Sequence, residues 1–325
     1  MPDSEQISKM GVDAGARFSG LATFMRAPYK PDGLDLDIAL AGLPYDFQSG
    51  RGSAKQGPRQ IRDMSGLIRR LSYGGVEPFE LCRIADVGDA VLNPMDPRQS
   101  IERATEFVAS LADRGATVVA AGGDHGATYP MLKGLVRSGP VGLVHFDAHP
   151  DTYDDPYGGY IHHGNAVRAA IEDNLVDPAH TITVGIHGTR FVKSDRNWHS
   201  DHGMGLLTVD DVADLGIAGT VAEIRRVLGD IPTYITFDVD ALDTPFAIGT
   251  GAPEPGGLTM RESLGILRGL HGLDIIGGDV MEVAPPFDPS GHTALNAANL
   301  MFEIVCATAL SISNKRAASA DRGAL

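Results

Sequence analysis

Residues 141–151 read VGLVHFDAHPD. Val141 to Phe146 is a short run that is apolar on both sides, the pattern of a strand buried on both faces of a parallel sheet. It leads directly into Asp147, His149 and Asp151, spaced i, i+2, i+4. In an extended chain alternate side chains leave on the same side, so two carboxylates and an imidazole from one strand end face one cavity. In open parallel sheets ligands bind in the crevice beyond the carboxyl ends of the strands. This stretch therefore points to both an architecture and a chemistry.

Similar β-branched runs lie on either side of it: Leu36 to Gly42, Arg83 to Val87, Thr117 to Ala121, Thr181 to Ile186, Leu206 to Val209, Thr233 to Val239 and Leu273 to Val283. Helical periodicity fills the intervals at Gln99 to Asp113, Thr128 to Arg137, Asn165 to Asp173, Thr220 to Leu228, Met260 to Leu270 and Thr293 to Ser311. Strand and helix alternate from end to end, which predicts an α/β fold with a central, mostly parallel sheet covered by helices on both faces. No Pro- or Ser-rich linker divides the chain. The expectation is one domain over residues 1–325, with an ordered core from about Phe18 to Asn314 and a mobile tail from Lys315 to Leu325.

The 325 residues include 27 Lys and Arg against 42 Asp and Glu, a net charge of −15, which argues against a nucleic-acid binder. Cys82 and Cys306 are far apart, in neither a CxxC nor a position beside a base. The start shows no basic segment followed by an apolar one, so a reducing cytoplasm is expected. The apolar stretch Met301 to Leu310 contains Glu303 and is far shorter than the ~20 residues a membrane helix needs. Gly122-Gly123, Gly158-Gly159 and Gly277-Gly278 read as tight turns or close packing, because no GxGxxG, GxxxxGK[ST] or GxSxG occurs.

Three other strand ends also carry metal-type donors. Thr117 to Ala121 leads into Asp124 and His125, Thr233 to Phe237 into Asp238 and Asp240, and Ile275 to Val280 into Glu282. Four carboxylates brought together repel and raise one another's pKa unless cations neutralise them. The pattern predicts a pair of divalent ions held by His125, Asp147, His149, Asp151, Asp238 and Asp240. Two imidazoles and four carboxylates with no thiolate suit Mn²⁺, with Ni²⁺ the next candidate.

The residues resemble those of the ureohydrolase family, which includes arginase, agmatinase, guanidinobutyrase and proclavaminate amidinohydrolase. The resemblance rests on Gly57-Pro58-Arg59 with Ile61-Arg62, GGDH at 122–125, DAHPD at 147–151 and HHG at 162–164. It continues through FDVDALD at 237–243, GTGAPEPGGL at 249–258 and MEVAPPFD at 281–288, the last two closer to the agmatinase branch. It implies a three-layer α/β/α sandwich assembling as a homo-oligomer, a trimer or hexamer, with a related second subunit as the hetero-oligomeric alternative. It implies hydrolysis of a guanidino compound to urea, or a substituted urea, plus an amine. One ion would take His125, Asp147, Asp151 and Asp238, and the other His149, Asp147, Asp238 and Asp240, with Asp151 counted among the catalytic groups as well. His163 would shuttle the proton, with His162 its rival, and Glu282 would hold the small cationic guanidino substrate.

The chemistry fits that resemblance. A guanidinium carbon is a poor electrophile, and a pair of divalent ions lowers the pKa of a shared water enough to attack it. Expulsion of the amine then needs a proton donor, and an imidazole is suited to the task. Several positions depart from the agmatinase pattern. Asn165 replaces a small hydroxyl after His163-Gly164, the stretch Ser49 to Gln56 has lost its aromatics, and His187 stands where relatives usually have Arg. Asn165, Arg51 and His187 are therefore expected at the substrate, and Arg51, Lys55 and Arg190 are candidates to meet a carboxylate tail. Agmatine, a guanidino acid such as 4-guanidinobutyrate, and a small or alkylated guanidine all remain open as substrates. A two-metal phosphoesterase lacks its GDxxD and GNH[DE] here, and a non-catalytic or partner-dependent subunit is the alternative of another class.

Overall fold

The computed structural model describes residues 17, 19–47, 51–154 and 161–323, with side chains to residue 320. Phe18, Ser49, Gly50 and the Gly158-Gly159 pair fall outside the described residues. Eight strands form one sheet: β1 (Ile38–Leu43), β2 (Ile84–Asp89), β3 (Thr117–Gly122), β4 (Val141–Phe146), β5 (Val176–Ile186), β6 (Gly205–Thr208), β7 (Thr233–Asp238) and β8 (Ile275–Met281). Their order is β2-β1-β3-β8-β7-β4-β5-β6 and every neighbouring pair is parallel. All eight runs read from the sequence are strands of this sheet.

Helices cover both faces. Among the described residues they are α1 (Gly57–Ser65), α2 (Pro78–Leu81), α3 (Pro97–Ala112), α4 (Thr128–Leu135), α5 (Ala166–Glu172), α6 (Asn197–Asp201), α7 (Val209–Leu228), α8 (Met260–Gly269) and α9 (His292–Gly323). Successive residues of a strand serve opposite cores. Leu40, Val119, Val144 and Ile235 face α1, α7, α8 and α9, while Ala41, Val118, Leu143 and Tyr234 face α3, α4 and α5. Each fully buried Leu, Val or Ile side chain contributes ~1.5–3 kcal/mol, and both sides of the sheet collect that gain. Local chemistry sets the helix starts: Asp96 caps α3 ahead of Pro97, and capping boxes at Thr208 with Asp211 and Thr259 with Glu262 open α7 and α8.

Two elements differ from the sequence reading. Gly216 breaks α7 with φ of 64°, so periodicity exposes only its second half. Of the expected loose tail, Lys315 to Gly323 continues α9, and Ala324 and Leu325 fall outside the described residues. There Lys315 pairs with Asp274 and Arg316 reaches Asp37 at 2.6 Å. The alanines of a stretch that reads as a loose end are good helix formers, and these two ion pairs dock its start against the domain. Within the described residues α9 is the one helix long and apolar enough to cross a membrane, but most of it is buried against the sheet and α1, as a core helix is.

Candidate metal centre and cavity

The four strands carrying the predicted donors are scattered in sequence but adjacent in the sheet, as β3-β8-β7-β4. Phe146 and Phe237 pair across β4 and β7 and stack with centroids 4.8 Å apart. The residues that follow them, Asp147 and Asp238, therefore emerge side by side.

All six predicted ligands meet there. His125 Nδ1 lies 2.9 Å from Asp147 Oδ2, 3.1 Å from Asp151 Oδ2 and 3.2 Å from Asp238 Oδ2. His149 Nδ1 lies 3.1 Å from Asp240 Oδ2 and 3.4 Å from Asp147 Oδ1. Asp147 belongs to both groups, and His149 is the most exposed of the six at 19% of its side chain.

The protons around His125 are set from behind. Asp279 accepts from the hydroxyls of Thr236 at 2.5 Å, Tyr234 at 2.6 Å and Thr128 at 3.0 Å. Thr236 has spent its only proton on that carboxylate, so it accepts from His125 Nε2 at 2.8 Å. The lone pair of Nδ1 then faces three carboxylate oxygens, and none of those contacts has hydrogen-bond geometry. A lone pair among anionic oxygens is repulsive without a cation between them, so this donor set fits a divalent metal.

The acid–base environment agrees. Burial, and then the neighbouring carboxylates, raise the pKa of Asp151, Asp238 and Asp240. Burial would raise Asp147 too, but His145, His125 and His149 outweigh it and hold Asp147 well below the usual carboxylate range. Burial opposes protonation of His125 and His149, yet the surrounding carboxylates drive both pKa values up. The cluster carries more negative charge than its own side chains neutralise.

Glu282 follows β8 with φ of 66°, and Asp151 has φ of 49°, a left-handed conformation uncommon outside glycine. Glu282 Oε1 accepts the His125 amide at 3.0 Å, while Oε2 is buried without a partner. Burial, then Asp238 and Asp124, push its pKa well up. His162 and His163 lie together with ring centroids 5.7 Å apart. His162 Nδ1 accepts the Gly164 amide in a capping box with Asn165, whereas His163 Nδ1 is buried and unpartnered. Burial, then His162 and His149, push His163 down to about 4, below the near-neutral value expected of a shuttle.

A cavity of about 740 Å³ opens onto these groups and is lined by His149, Asp151, Asp238, Asp240, Glu282, His162 and His163. Three residues expected at the substrate are absent from its described lining. Asn165 Oδ1 accepts the His162 amide at 2.9 Å, because an amide suits a helix start. Arg51 donates to the Thr250 carbonyl at 2.8 Å and stacks on Phe287. His187 bridges the carbonyls of Gly185 and Glu254 at 2.7 and 3.0 Å. Lys55 also lies outside the lining, whereas Arg190 is part of it, beside Tyr153, Thr189, Phe191 and Glu254. Sequence reasoning passed over His145 and Thr236, although each lies one period-2 step before a named ligand, at Asp147 and Asp238. The rim residues carried no such signal.

The Arginase family model matches residues 36–307. A guanidinopropionase from Pseudomonas aeruginosa is 42% identical over 91% of this chain and 94% of its own length. The mitochondrial agmatinase of Gallus gallus is 39% identical over 90% and 86%. The solved structure of proclavaminate amidinohydrolase from Streptomyces clavuligerus superposes with a TM-score of 0.88 at 36% identity, covering 91% of this chain and all of that one. With more than four-fifths of its length matched and its donors gathered at one sheet end, the chain belongs to the arginase family, in its agmatinase-like branch.

Proposed function

We propose that this protein is a metal-dependent amidinohydrolase that cleaves a guanidino compound to urea, or a substituted urea, and an amine. The observation that carries the reading is Glu282: a buried carboxylate in the cavity wall with one oxygen lacking a donor, beside a cluster built to hold cations. A planar guanidinium supplies the missing N–H groups as charge-assisted hydrogen bonds and is drawn by the surplus negative charge.

His125, Asp147, His149, Asp151, Asp238 and Asp240 would hold two divalent ions, Mn²⁺ on the hardness of the donors and Ni²⁺ as second choice. Bound there, such ions supply the chemistry of lowering the pKa of a coordinated water to near 7. Glu282 Oε2 binds the guanidinium and fixes the face its carbon presents. His163 is neutral at pH 7, because burial and its histidine neighbours hold it near 4. Its unpartnered Nδ1 is the atom that would carry a proton to the departing nitrogen. The same low pKa makes the protonated ring a strong donor to the leaving amine.

Agmatine is the reference substrate of this reading, and a small or alkylated guanidine is a further candidate. A guanidino acid is the second reading, favoured by Arg190 in the cavity wall and by the 42%-identical guanidinopropionase. A screen of urea release from agmatine, guanidino acids of graded length and alkylated guanidines, with Mn²⁺- and Ni²⁺-loaded protein, tests the proposal. Release from at least one compound, abolished by chelation, is the expected result; silence across the panel with both metals overturns it. The two isolated cysteines also support a reducing cytoplasm, and the family resemblance supports a trimer or hexamer active without a second subunit. Light scattering on the purified chain, in parallel with its activity, checks that.

A further inference from the structure

Behind the Asp147 carboxylate, outside the cavity, lie three linked side chains. His145 Nε2 is 2.9 Å from Asp147 Oδ2, and His145 Nδ1 is 3.0 Å from Thr183 Oγ1. Thr183 Oγ1 is in turn 3.0 Å from His199 Nε2. His145 and Thr183 are fully buried, and His199 is 1% exposed. His145 and Thr183 are direct partners in the β4–β5 ladder, and α6 brings in His199.

The direction of this chain follows from proton counting. Ionised Asp147 only accepts, so His145 carries its proton on Nε2. His145 Nδ1 then accepts the single proton of Thr183, and Thr183 accepts from His199 Nε2. That leaves His199 Nδ1 as a bare lone pair, and this atom is buried with no partner. The opposite direction sets the His145 lone pair against an anionic oxygen at 2.9 Å. It also makes His199 Nδ1 a buried N–H with no acceptor, a costly orphan. Burial keeps His199 at about 3, so it holds one ring proton and no more.

We propose that Thr183 and His199 are positioning residues for the metal centre: through them His145 is locked in its Nε2–H tautomer and so aims the Asp147 carboxylate. The proposal rests on Asp147 being a metal ligand, as read above. Groups that orient ligands from behind typically change metal affinity by about 10–100-fold.

The test uses full-length protein stripped of metal. Mn²⁺ affinity is measured by calorimetric titration for wild type, Thr183→Val, which keeps the shape and removes the hydroxyl, and Thr183→Ser, which restores it. Thr183→Val should bind Mn²⁺ about 10–100-fold more weakly, with Thr183→Ser close to wild type. Long-range ¹H–¹⁵N spectra of the histidine rings should show His145 protonated at Nε2 in wild type and a mixture of tautomers in Thr183→Val. Should Thr183→Val fail to fold, His199→Gln, which retains a donor at the Nε2 position, against His199→Leu decides the same question. Equal affinity in a folded Thr183→Val, no recovery in Thr183→Ser, or an Nδ1–H tautomer of His145 overturns the proposal while leaving the metal site intact. A wild type that takes up no Mn²⁺ removes the site reading and the positioning role together.

Discussion

The roles proposed for Glu282 and for the cluster donors are separable, and single substitutions distinguish them. Glu282→Gln keeps the shape but replaces an acceptor oxygen with an N–H₂ that opposes the guanidinium. The lost charge-assisted hydrogen bond is worth about 1.5–3 kcal/mol, so kcat/KM should fall roughly 10–100-fold. Bound metal measured by elemental analysis should stay constant; normal turnover would remove Glu282 from substrate binding. Asp147→Asn and His149→Ala should lose metal and turnover together, because each removes a donor from the cluster. An unchanged metal content in both would contradict their role as ligands. The convergence of these donors was readable because donors at alternate positions of a strand end share one side, and the same rule carried one step back reaches His145. Asn165, Arg51 and His187 lie outside the described cavity lining and bond to backbone groups instead, because a polar side chain near a cavity has carbonyls and amides to satisfy, and nothing in the local sequence tells which partner it meets.

At the level of elements, the site depends on how closely β3 and β8 end together. Gly123 donates to Leu43 O at 2.7 Å, and its own carbonyl accepts the Glu282 amide at 2.8 Å. A Cβ on Gly123 would lie 1.7 Å from the Tyr45 carbonyl oxygen, so Gly123→Ala must force the backbones apart. The expected destabilisation is at least about 2 kcal/mol, seen as a lower denaturation midpoint, with weaker metal binding because Glu282 and His125 move. A variant with native midpoint and affinity would show that this junction is slack. The strands themselves were legible from composition, since a strand covered on both faces needs little but apolar β-branched residues. Helix extents were less so: a single glycine hid half of α7, and the end of α9 is docked by Asp37 and Asp274, far away in sequence.

For the whole molecule the balance of charge at the sheet end ties stability to metal and pH. A group whose pKa is raised by folding keeps its proton longer in the folded chain, so its stabilisation is present below the unfolded pKa and lost as pH rises through the raised value. Asp151, Asp238, Asp240, Glu282, His125 and His149 are of this kind. Asp147 and His163 are shifted down and act in the opposite sense, losing stability as pH falls through their lowered values. The larger group sets the sign. Chelated protein should lose stability as pH rises above the ordinary carboxylate value of about 4, whereas bound cations cancel the repulsion. The gap in Tm between loaded and chelated protein should therefore widen from pH ~5 to pH ~8. Calorimetry at a series of pH values checks this, and a gap that narrows over that range would contradict it.

The sequence alone determined the layered α/β architecture and the candidate metal donors, because these depend on period-2 spacing and on donor types that the chain carries locally, while the reaction class was legible through the resemblance of its motifs to the ureohydrolase family. Tertiary structure decided the rest. It placed β8 and β7 between β3 and β4, oriented His125 through Thr236 and Asp279, and shaped the cavity rim from loops whose side chains bond to distant backbone. Those outcomes depend on which segments pack side by side, and that is settled by burial over the whole chain.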